Sequence, residues 1–158
     1  MLEHLITDRV VADVDEIRNL TEAIKAGTAT AEQVREYLDA THKGAYTYRD
    51  MNRVEDAVQY VAQRLQEAGY LRSLPITRTW SVEEKPNAED FKRYFDNVEM
   101  IRNSIPVWAT TPAAPSGVSG FDVKQANALE QILLDVELIL EYIPLAWFYL
   151  DDVYSAEV

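Results

Sequence analysis

In a chain without cysteine, metal and acid–base chemistry fall to histidine and the carboxylates, and histidine occurs only at His4 and His42. Neither stands in a His-x-x-x-His or Glu-x-x-His pair, the spacing that sets two ligands on one helix face. Glu83-Glu84 sits in the first turn of a short helical start, where the helix dipole favours acids without any catalytic role. Asp151-Asp152 near Glu157 lacks the spaced Asp/Asn and Gly of a calcium loop. Gly117-Val-Ser-Gly120 has no basic flank with which to clamp phosphates. Pro112-Ala-Ala-Pro115 has polyproline-ligand spacing but no nearby basic anchor, and reads as a stiff connector. Asn19-Leu-Thr21 falls inside a helical pattern and is set aside as a glycosylation acceptor. The expectation is a non-enzymatic protein with no catalytic residue, no metal and no cofactor.

Polar and aromatic residues next to the helix seams are better placed to act. Asn52, Asn97 and Asn127 each lie beside an apolar seam in a helix interior, where asparagine is a poor helix former. Their amides are expected to bond neighbouring backbone or one another and so fix helix register. Trp147, Phe148, Tyr149 and Tyr154 crowd the end of the sequence, where they either fold back to cap the bundle core or form the candidate interface, as tryptophan and tyrosine supply many hot spots of protein contacts. A rival reading makes Trp80, Trp108 or Trp147 a stacking platform of a carbohydrate-binding, host-recognition module. The remaining carboxylates are expected mainly on solvent faces.

The elements that position these groups are helical. Thr7 reads as the cap of a first helix with Val10, Val14, Ile17 and Ile24 on one side and Gly27 as its stop. Thr30, with Gln33 in capping-box spacing, starts a short second helix carrying Val34, Tyr37 and Leu38. Thr47 and Asp50 open a third, whose seam runs Met51, Val54, Val58, Val61, Leu65, Ala68 to a stop at Gly69. Ile76 to Trp80 alternates and reads as a short extended stretch in need of a partner. Asn87 and Asp90 cap a fourth helix with Phe91, Tyr94, Val98, Ile101 and Ile105, ended by Pro106. Asp122 and Gln125 open the last, with a broad seam from Ala126 to Ile143, and Pro144 kinks or ends it. Asn52-Arg-Val-Glu55 aligns on Asn127-Ala-Leu-Glu130, which shared helical period explains as well as duplication does.

The fold expected is mainly α, a three- to four-helix bundle with long irregular connectors, in one domain over 1–158 with 106–120 an internal Pro/Gly-rich connector. Length and a 47% apolar composition suit one sizeable core. A net charge of −12 argues against nucleic acid as partner. Past Arg102 the one cation is Lys124 against eight acids, a solubilising surface or a face for a basic partner. The start lacks a basic region followed by an apolar run, so no signal peptide is expected. No apolar run has membrane-spanning length, and no membrane insertion is expected.

Lys43-Gly-Ala-Tyr-Thr-Tyr-Arg-Asp-Met-Asn-Arg-Val-Glu55, followed by Val58-Gln-Tyr-Val-Ala-Gln-Arg-Leu65, resembles a segment of tail-region structural proteins of phages and prophages of Gram-positive bacteria. Three further pieces are similar to that family in the same order. They are Ile6-Thr-Asp-Arg9 with Ala12-Asp-Val14, then Ala126-Asn127 with Glu130-Gln-Ile-Leu133, and Ala146-Trp-Phe-Tyr149 through Tyr154-Ser-Ala-Glu-Val158. The resemblance implies a virion protein of the tail, made in the bacterial cytoplasm, that contacts other tail proteins or itself. It brings no catalytic residue with it.

Overall fold

The computed structural model describes residues 2–39 and 42–155, with side chains as far as Pro144. A 3-10 turn at Leu2–His4 precedes α1 (Val11–Lys25), α2 (Ala31–Leu38), α3 (Tyr48–Glu67), α4 (Ala88–Ser104) and α5 (Val123–Ser155). Among the described residues there is no strand, and the fold is mainly helical as its periodicity requires.

Local chemistry sets most of the helix ends. Thr30, Thr47 and Asn87 occupy their N-caps, and Gln33, Asp50 and Asp90 reach back to the cap N–H at 2.8, 2.8 and 3.0 Å. Gly27 and Gly69 end α1 and α3 at φ 70° and 83°, a region glycine enters without Cβ strain. Two ends depart from the sequence expectation. Thr7 does not cap α1. The helix starts at Val11, with the Asp13 carboxylate accepting from the Val10 N–H at 2.8 Å. Residues 6–9 stay outside any helix because Glu130 and Asn127 hold their backbone. Pro144 does not end α5, which continues to Ser155. Glu83-Glu84 lies in a turn rather than a helix, and Glu84 accepts from the Ser81 N–H at 2.7 Å.

α3, α4 and α5 make the core. Val54, Val61, Leu65, Val98, Ile101, Leu129, Leu133 and Val136 are fully buried between them, each worth roughly 1.5–3 kcal/mol of transfer free energy. The three helices run in the same direction. At their starts, Tyr46 stacks edge-on to Phe121 at 5.1 Å, Phe95 lies 5.7 Å from Phe121, and the Tyr46 and Tyr94 hydroxyls meet at 2.6 Å. Farther along, Arg53 reaches Glu130 and then Tyr60 reaches Glu137, in step.

Parallel neighbours oblige each connector to travel back the length of the bundle, and this accounts for their length. The way back is along the grooves. The segment leading into α4 crosses α3 and α4, the one leading into α5 crosses α4 and α5, and residues 5–10 lie over α3 and α5. Each is held by side chains from the helices beneath it. α1 and α2 form a hairpin packed chiefly on itself. Of its apolar residues Leu20 is buried, while Val11, Tyr37 and Leu38 are exposed.

Candidate functional site

The polar groups of this chain converge on the three strapped grooves. In the groove between α3 and α5, Glu130 is fully buried and receives four hydrogen bonds. Arg9 and Arg53 each donate an Nη2 hydrogen to its Oε1, at 2.7 and 2.9 Å. Arg53 Nε donates to its Oε2 at 3.0 Å and the Ile6 N–H at 2.5 Å. Asp50 completes the cluster. One of its oxygens caps α3 through the Thr47 N–H, and the other accepts from Arg9 at 3.0 Å and Arg53 at 2.6 Å. Two guanidinium and two carboxylate charges therefore cancel inside the protein. Burial weakens the charged form of Arg53, yet its bonds to Glu130 and Asp50 outweigh that and hold its pKa above the ordinary arginine value. Removing one member of such a cluster strands a buried charge, at a cost of about 3–5 kcal/mol.

Asn127 fixes the strap over this cluster. Its Oδ1 accepts the Arg9 N–H at 3.1 Å and its Nδ2 donates to the Arg9 carbonyl at 2.9 Å. Asn52 does the same for Trp80, accepting its N–H at 2.6 Å and donating to its carbonyl at 2.9 Å. Three residues on from each asparagine a glutamate takes the side chain of the same strap residue. Glu130 takes Arg9, and Glu55 accepts from Trp80 Nε1 at 3.3 Å while forming a two-point ion pair with Arg93. Asn97 donates to the Ile76 carbonyl at 2.9 Å, and Arg93 donates to the same oxygen at 2.8 Å. In the third groove Arg102 donates to the Pro112 carbonyl at 2.6 Å, and the Thr111 hydroxyl donates to Asp135 at 2.6 Å.

The three asparagines thus bond backbone, but that of connectors distant in sequence. None bonds another asparagine. The extended stretch Ile76 to Trp80 finds its partner in helix side chains instead of a second strand. Carboxylates expected on solvent faces are buried at Asp50, Glu55, Glu130, Asp135 and Glu137, with exposures of 8% or less. The seam spacing placed these residues one step beside core positions and could not show the arginines that reach them. The one signal in the sequence was the paired Asn-x-x-Glu wording of 52–55 and 127–130.

The tryptophans part company. Trp80 is 3% exposed, covered by the Arg78 guanidinium at 4.1 Å from its ring centre, so it presents no stacking surface. Trp108 is 41% exposed beside Ile139, Tyr142 and Ile143, around a shallow depression of about 260 Å³. The candidate interface residues Trp147, Phe148, Tyr149 and Tyr154 belong to the last stretch of α5, and their side chains lie outside the described residues. Among the described residues no cluster of His, Asp and Glu is placed to hold a metal, and no helix is long and apolar enough to cross a membrane.

Fold and polar clusters define a parallel three-helix bundle with strapped grooves. Comparison of the chain with protein-family profiles, curated proteins and solved structures returns no match.

Proposed function

We propose that this chain is a non-enzymatic structural or adaptor protein of a phage or prophage tail or baseplate, acting through contacts with other tail proteins or with itself. The observation that carries the mode of action is the overhang of α5. Its 33 residues extend about 50 Å, against about 30 Å for the 20 residues of α3. Glu137 meets Arg64 close to the end of α3, so α3 ends near the level of Pro144 and the last turns of α5 run on past it. In sequence the seam spacing does not stop there. Leu129, Leu133, Val136, Leu140, Ile143, Trp147, Leu150 and Tyr154 alternate at four and three residues without a break, the repeat that winds helices of separate chains together. The tail assignment itself rests on the four similar pieces of sequence. Three of them supply Arg9, Asp50, Arg53, Asn127 and Glu130, so the wording they share is that of the buried cluster.

Deleting residues 147–158 tests the mode of action. The truncated chain should melt as the full chain does, while losing self-association in sedimentation velocity or capture of neighbouring tail proteins. A truncated chain that unfolds, or one that associates unchanged, overturns it. The tail assignment is tested by the neighbouring genes, and metabolic neighbours in place of tail and lysis genes would sink it. A host-recognition module is the second reading, and the exposed Trp108 with Tyr142 favours it. Glycan binding lost in Trp108→Ala would support that alternative.

A further inference from the structure

The start of α1, the loop that precedes α3 and the start of α5 enclose a cleft of about 370 Å³, within the size range of small-molecule sites. Val14, Tyr46, Phe121 and Ala126 give it apolar walls. Gly44 lets the loop close on α1, since a Cβ there would fall 1.9 Å from the Asp13 carbonyl oxygen. Lys43 and Lys124 also line it, in a chain where acids outnumber bases 27 to 15. Arg9 is the third cation of the lining, and its Nε–H has no acceptor among the described residues.

The acids around this cleft have partners of their own, which engage Lys43 but leave the Lys124 ammonium and the Arg9 Nε–H. Asp8 is held by Lys43 at 2.6 Å, Asp13 by the Val10 N–H, and Asp122 by the Lys124 and Gln125 N–H groups at 2.9 and 3.0 Å. Lys124 has no ion-pair partner among the described residues. α1 begins without a side-chain cap, because Val10 stands where serine or aspartate would accept from the first turn. The N–H groups of Val11 and Ala12 therefore have no side-chain cap, at the positive end of the helix dipole, and Val11 lines the cleft.

We propose that this cleft binds a small carboxylate with an apolar body. The apolar part sits among Val14, Tyr46 and Phe121, and the carboxylate meets Lys124 and the open first turn of α1. A net charge of −12 repels anions in general, so binding of this kind has to be local and is distinguishable from surface adsorption.

Octanoate and its neutral counterpart octanamide are the probes, titrated into the ¹⁵N-labelled full chain. Octanoate should shift the amide signals of Val11, Ala12, Gly44 and Lys124 together in a saturable way, and bind about tenfold tighter than octanamide, the worth of one charge-assisted contact at a partly exposed site. Lys124→Glu should weaken octanoate by at least about tenfold and leave octanamide unchanged. Lys124 is exposed and makes no side-chain bond among the described residues, so this variant keeps the fold. No saturable shift at millimolar octanoate, equal affinity for the two probes, or an unaltered Lys124→Glu would each overturn the proposal. None of these outcomes bears on the tail reading.

Discussion

Glu130 and Glu137 lie seven residues apart on one face of α5, yet their surroundings differ. Glu130 has all its acceptor capacity taken up by two arginines and a backbone N–H. Glu137 accepts a long bond from the Tyr60 hydroxyl at 3.4 Å and lies 3.3 Å from Arg64, while its second oxygen has no partner among the described residues. Burial raises the Glu137 pKa, only partly opposed by Arg64, and Glu141 adds to the rise. A carboxyl whose folded pKa exceeds its unfolded one favours folding when protonated. Its contribution is therefore full below the usual carboxylate range and is lost as pH rises through the folded value. Glu137→Gln should then raise stability at pH 7 by up to about 1 kcal/mol, a modest figure because Arg64 is partly in solvent. The gap to the parent should close as pH falls toward 4. Urea unfolding at several pH values measures it, and a variant less stable than its parent at pH 7 would show that the Arg64 pair outweighs burial. Sequence could not separate the two glutamates. Both stand one residue from a seam position, and their difference lies in Arg9 and Arg53, which arrive from elsewhere in the chain.

At the scale of elements, the sequence is legible wherever the controlling chemistry is local. Thr47 with Asp50, Asn87 with Asp90 and Thr30 with Gln33 are caps three residues wide, and each forms as the wording implies. The seams of α3, α4 and α5 are likewise core. α1 and the straps follow a different logic. Thr7 is a good cap by composition, but the Arg9 carbonyl, which would accept from Asp13 in a helix capped there, is taken by the Asn127 amide 118 residues away, and the Ile6 and Arg9 N–H groups bind Glu130 and Asn127, which fixes the segment on α5 instead of in a first turn. The straps have no repeating pattern to read, because helix side chains replace a neighbouring strand as their partners. Asn52→Ala and Asn127→Ala should each cost about 1–3 kcal/mol, the penalty for buried backbone groups left unpaired. Hydrogen exchange should report the effect locally, with the Trp80 amide losing protection in the first variant and the Arg9 amide in the second. The two sites hold different straps, so their costs should add within about 0.5 kcal/mol. Uniform loss of protection across all three helices in either variant would mean that the straps are not separate units but part of one core.

The whole molecule differs from the usual short-looped helical bundle in the direction of its helices. Antiparallel neighbours joined by short turns meet soon after each turn is made, and such bundles fold in microseconds to milliseconds. Here α3 and α5 run parallel and their charged contacts join residues 77 positions apart, while the strap over them bonds residues 118 to 124 positions apart. Closing loops of that size has an entropic cost before any contact offsets it. The charged cluster adds a second requirement, since Arg9, Arg53, Asp50 and Glu130 must come together before any of them can leave water without penalty. The expectation is a folding rate closer to that of β-rich domains, in milliseconds to seconds, although no strand is present among the described residues. Stopped-flow refolding into low urea provides the measurement. Glu130→Ala should slow folding only if the cluster assembles in the transition state, and should otherwise act on unfolding. A single microsecond refolding phase would contradict the argument, because it would mean that α3, α4 and α5 dock before their connectors are laid down. In that case the straps would be late additions to a bundle stable without them, and cutting one chemically would leave the core intact.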